Sequence, residues 1–73
     1  MKSMEDKIID MQVRIAELLM EKWSKTPQEF IELDKKYSIL EYIRVGYEPF
    51  HLTGDKGIVA EVEAFVTQQG GAW

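Results

Sequence analysis

The stretch from Met4 to Trp23 constrains this chain most, because it runs without glycine or proline and its apolar residues recur at helical spacing. Ile8, Met11, Ile15, Leu18 and Leu19 form one apolar stripe, and Ile9, Val13, Ala16, Met20 and Trp23 form a second, offset stripe. Such a helix would be about 30 Å long at ~1.5 Å per residue. The segments that follow are shorter, which leaves two outcomes open. Either the later helices bury both stripes, or one stripe is left for another chain.

The next helix announces itself chemically. Thr26 can cap free N–H groups, Pro27 sits where its missing N–H costs nothing, and Glu29 completes a Thr-x-x-Glu capping box. Phe30, Ile31 and Leu33 carry that helix to about Lys36, where two lysines suit the helix dipole. Ser38-Ile39-Leu40-Glu41 reads as a second capping box, opening a third helix with Ile39, Leu40, Tyr42 and Ile43 inward and ending near Gly46. Pro49 predicts a kink or a short new turn between Tyr47 and Gly54. Gly54 fits a helix end and Asp55 a new N-cap. Ile58, Val59, Val62, Phe65 and Val66 then predict a terminal helix. A strand over 57–62 is the competitor, but a lone strand would have no pairing partner. The expected fold is all-α, a compact bundle of four helices. It has a long first helix, two short middle helices with a kinked His51 corner, and a C-terminal helix. Residues 4–69 form a single domain, and 70–73 a flexible C-terminal tail.

With 73 residues the chain has room for one core, and burial of roughly 60% of its unfolded surface leaves it near the lower limit of independent folding. No cysteine is present to staple it, so association with a partner or a second copy is expected to help. The formal charge is −4, and the one adjacent basic pair, Lys35-Lys36, is flanked by Glu32 and Asp34. Direct nucleic-acid binding is not expected without a clustered basic surface. The N-terminus shows no leader pattern, and no stretch approaches the ~20 apolar residues of a membrane span. The expected location is the cytoplasm.

No catalytic, cofactor or metal site is expected. His51 is the single histidine, there is no cysteine to act as nucleophile, and Ser3, Ser24 and Ser38 sit at termini or caps. His51 is expected to hold a turn by bonding a carbonyl in the Pro49–Gly54 corner. Gly70-Gly71 follows a helix instead of opening one, so it is no phosphate loop. The surplus lies in aromatics: Tyr37, Tyr42, Tyr47, Phe50 and His51 cluster together, and residues of this kind often anchor interfaces. The expected partner-binding surface is Val13, Met20 and Trp23 from the second stripe, joined by Tyr47, Phe50 and His51.

The run Leu33-Asp34-Lys35-Lys36-Tyr37-Ser38-Ile39-Leu40-Glu41-Tyr42-Ile43, followed by Tyr47-Glu48 and His51, resembles the uncharacterised bacterial family catalogued as domain of unknown function 3791. Lys36-Tyr37, Tyr42-Ile43, Tyr47 to His51, Gly54 and Ile58 to Phe65 carry the likeness, which spans roughly residues 8–66. Gly46 and Pro49 depart from the continuous helix that it implies. The resemblance brings no catalytic residue. It implies an antitoxin-like or accessory partner of an ADP-ribosyltransferase-like protein. The alternative is a self-associating, dimeric helical regulator with weak helix-turn-helix-like nucleic-acid binding through the Thr26–Lys36 and Ser38–Gly46 helices, although that pair offers only Arg44 as a base reader.

Overall fold

The computed structural model describes residues 2–73. Among these, five helices follow one another: α1 (Met4–Trp23), α2 (Pro27–Tyr37), α3 (Ile39–Val45), α4 (Tyr47–Phe50) and α5 (Asp55–Gln68). The chain is all-helical, but the expected count of four is corrected to five. At Gly46 the backbone leaves helical geometry (ψ 6°), which ends α3 and starts the single turn α4. Pro49 is tolerated there because it lies in the first turn, where its N–H would have no partner within the helix. Gly46 has a packing reason as well: a Cβ at that position would meet the Phe50 ring at 2.5 Å.

Two of the expected caps differ. Ser38 takes left-handed geometry (φ 56°, ψ 48°) and its side chain caps nothing. Its N–H donates to the Asp34 carbonyl, closing α2. The carboxylate of Asp34 then accepts from Leu40 N–H at 2.7 Å, supplying to α3 the cap assigned to Ser38. A residue that ends one helix in left-handed geometry cannot also offer its hydroxyl from the extended geometry of a usual N-cap. At α5, Gly54 is the N-cap and Asp55 the first helical residue. The Thr26–Glu29 capping box forms as expected, and Ser3 and Asp6 form another at α1.

The core is built on a four-residue step along α1: Met11, Ile15, Leu19 and Trp23 are all buried. Ile39, Ile43, Ile58, Val62 and Val66 from α3 and α5 meet them with no exposed surface. Trp23 therefore belongs to the first stripe of α1, where its indole N–H donates to Glu63 at 2.9 Å. Three ion pairs tie α1 to the later helices: Arg14–Asp55, Lys22–Glu63 and Arg44–Glu5.

The segment expected as a tail follows a specific course. Gly70 has φ 75°, Gly70 N–H donates to Thr67 and Gly71 N–H donates to Val66, which together make a Schellman cap. Gly71 lies so close to the Tyr37 ring that no Cβ would fit. The chain then lays Trp73 on Trp23, rings stacked at 4.7 Å and 14°.

Candidate functional site

The six residues expected at a partner surface fall into three environments. Trp23 and Phe50 are core residues. Tyr47 and His51 stack on each other (5.3 Å, 10°), with His51 Nδ1 3.3 Å from the Tyr47 carbonyl oxygen, one turn back from the carbonyls expected to hold it. They border a polar recess that also takes in Lys2, Lys7 and Arg14. Val13 and Met20 line a different recess, on another flank of α1, and no residue is common to the two. The expected surface is thus two surfaces.

The recess at Val13 is a shallow groove of about 270 Å³ between α1 and α2, with Ala16, Met20, Pro27, Ile31 and Leu40 in its walls. Its lining is apolar but for Gln12. The polar side chain there, Gln12, donates its amide to the Leu40 carbonyl at 2.8 Å, which satisfies it and ties α1 to α3. The groove follows from the way α2 lies. Phe30 and Tyr37 are buried and Leu33 half-buried, so the neighbouring Ile31 is turned out and stays 51% exposed. Across from it, Val13 is 52% exposed and Ile9 43%. Ile31, Pro27 and Leu40 were not expected here. The available signal was spacing: Phe30, Leu33 and Tyr37 share one face of α2 at three-four steps, and Ile31 lies off that face.

Acidic residues border the groove. Asp6, Asp10 and Glu17 run along α1 beside the apolar row Ile9, Val13, Ala16 and Met20, with Asp10 also lining the recess of Lys7 and Arg14, whereas Glu21 lines a recess with Lys22 and Lys56. Glu17 and Glu21 take part in none of the ion pairs formed among the described residues. Ile31 also borders a second shallow surface that holds Glu29 and Glu32. The α1 cations Lys7, Arg14 and Lys22 lie away from the groove, two of them paired to α5.

Elsewhere, titratable groups serve structure. Burial alone would raise the Glu63 carboxyl, but the hydrogen bonds from Lys22 and Trp23 outweigh it and hold the group below its ordinary range. Burial, with Glu61 nearby, raises the Tyr42 phenol, whose ring stacks on Phe65 at 3.9 Å. Arg44, the one base-reading candidate of α3, donates from both terminal guanidinium nitrogens to the Glu5 carboxylate. Among the described residues, no three His, Cys, Asp or Glu side chains converge to hold a metal, and no helix is long and apolar enough to cross a membrane.

These features define a small all-helical domain with a closed core and, between α1 and α2, an apolar groove open on its surface. The chain belongs to the family described as Protein of unknown function (DUF3791), whose model matches residues 10–69 and so takes in most of α1 and all of α2 to α5. No curated protein and no solved structure matches it.

Proposed function

We propose that this protein is a non-enzymatic interaction module that works by covering part of another protein. The observation behind this reading is the apolar groove bounded by Val13, Met20 and Ile31, which the chain's own helices leave open. A domain this small exposes such branched side chains at a cost in solubility, and partner binding removes that cost. The most concrete form of the reading comes from the family resemblance: an antitoxin-like or accessory partner of an ADP-ribosyltransferase-like protein in the cytoplasm. The nucleic-acid alternative has less behind it, because Arg44 is engaged by Glu5 and the Lys35-Lys36 pair before the α2–α3 junction is flanked by Glu32 and Asp34, with Lys35 paired to Glu32.

The test replaces Val13 and Ile31 together with Asp. Both side chains are half-exposed, so the variant should fold, as circular dichroism would verify. Tagged wild type and variant are then used to capture partners from a host lysate. A stoichiometric partner held by the wild type and lost by the folded variant is the expected result. A partner with ADP-ribosyltransferase sequence would support the concrete form. A partner retained by the folded variant would remove the groove from the reading, and self-capture through the groove would favour a dimer.

A further inference from the structure

We infer that the occupant of the α1–α2 groove is a basic amphipathic helix of a partner protein. This rests on the interaction reading above and goes further by assigning the chemistry of what binds. The apolar row from Ile9 to Met20 is roughly 16 Å long at ~1.5 Å per residue, three turns of straight helix, so the complementary shape is another helix laid along it. Apolar residues at every third and fourth position of that helix would meet Val13, Met20 and Ile31.

Charge decides the rest. The row Asp6, Asp10 and Glu17 runs along one edge of the apolar strip, and Glu29 and Glu32 lie beyond Ile31 on the other side. The cations nearby are already engaged or offset. Lys2 is paired to Asp10 and Lys35 to Glu32, while Lys25 stands by Glu29 in the α1–α2 loop. Glu17 on one shoulder and Glu29 on the other take part in none of the ion pairs among the described residues, so a helix entering the groove meets negative charge on both sides. Lysine or arginine flanking its apolar face would satisfy those shoulders, whereas acidic flanks would be repelled.

The same charges argue against a second copy of this chain. Face-to-face packing of two identical grooves follows a two-fold axis lying in the interface. An axis across α1 sets the acidic row against its own copy. An axis along α1 sets the row against Glu29 and Glu32 of the other molecule's α2. Both arrangements oppose like charges in a chain whose net charge is −4.

The experiment titrates the isotope-labelled full chain with two synthetic peptides of about 18 residues, a length at which amphipathic helices become accessible. Both carry leucine at the same three-four spacing; one has lysine at the remaining positions and the other glutamate. The expected result is chemical-shift change at Val13, Met20 and Ile31 with the lysine peptide, at an affinity at least about ten-fold above the glutamate peptide. Raising sodium chloride to about 0.5 M should shrink that ratio, because exposed charges are screened. In the Glu17→Lys/Glu32→Lys variant, which reverses a charge on each shoulder, the preference should fall away or reverse. Equal affinity of the two peptides for the groove would overturn the charge assignment and leave the interaction reading standing. Shift changes confined to acidic surface outside the groove, or a groove that neither peptide enters, would overturn both. Dimerisation that buries Val13 and Ile31 in sedimentation and shift data would overturn the basic-helix occupant in favour of self-association.

Discussion

Val13 and Ile15 stand two residues apart on α1, yet Ile15 has no exposed surface and Val13 keeps 52% of its own. Each belongs to an apolar row. The row Met11, Ile15, Leu19 and Trp23 is closed by α3 and α5, with Arg14–Asp55 and Lys22–Glu63 as polar seals at its edge. The row Ile9, Val13, Ala16 and Met20 faces α2, which spends Phe30 and Tyr37 on the core and has little left to cover it. Apolar periodicity therefore marks surface that can be buried. Whether this chain buries it depends on how many elements reach that flank.

The largest expected contrast lies in truncations on the two rows. Leu19→Ala should destabilise by about 2–5 kcal/mol, as buried leucines do when a cavity replaces them. For a chain whose total stability is of order 5 kcal/mol, that approaches complete unfolding. Val13→Ala should change stability by no more than about 0.5 kcal/mol. Urea titration of both variants checks the pair, and similar losses would mean that the groove row is core after all.

A second contrast concerns how α2 and α3 are joined above the groove. Asp34→Ala removes the carboxylate that caps Leu40 N–H and should cost about 1 kcal/mol, whereas Ser38→Ala should be near neutral because its hydroxyl caps nothing. The reverse order in thermal melts would restore the cap to Ser38. A third concerns the closed row's outer end. Trp73→Ala loses the stack on Trp23 and should cost about 0.5–1.5 kcal/mol with a red shift in the remaining tryptophan emission. Unchanged emission would mean that residue 73 does not cover Trp23 in solution.

The smallest expected effect is in pH. Glu63 titrates below its ordinary range when folded, so its contribution is present above the unfolded value and is lost as pH falls through the lower folded value. The stability difference between wild type and Glu63→Gln should therefore be largest near neutrality and shrink toward about pH 3. A difference that grows on acidification would contradict the Lys22–Glu63–Trp23 bonding.

The candidate site was legible in part. Val13 and Met20 were placed on a helix face that later helices could fail to cover, and they do line the open groove. Trp23 was assigned to the same face because it follows Met20 by three residues. It also follows Leu19 by four, and that step wins since Glu63 waits for its indole N–H on the core side. Phe50 is expected at the partner surface from its place among the aromatics, but Gly46 gives its ring a bed against bare backbone and the ring lies inside. Ile31 lies off the face that Phe30, Leu33 and Tyr37 share at three-four steps, so its outward turn is legible in the spacing of α2, whereas the groove that it borders depends on where α1 lies.

What the sequence determined by itself is local. The lack of breakers through α1, the Thr26-Pro27-Glu29 start of α2 and the apolar period of α5 act through backbone hydrogen bonds and neighbouring side chains, so they can be read within a few residues. The tertiary structure decided the left-handed turn at Ser38, the stacking of Trp73 on Trp23 and which flank of α1 stays open. The tryptophan stack and the open flank join groups far apart in the chain that compete for one small core, and a chain of this size has too few helices to fill every face it offers.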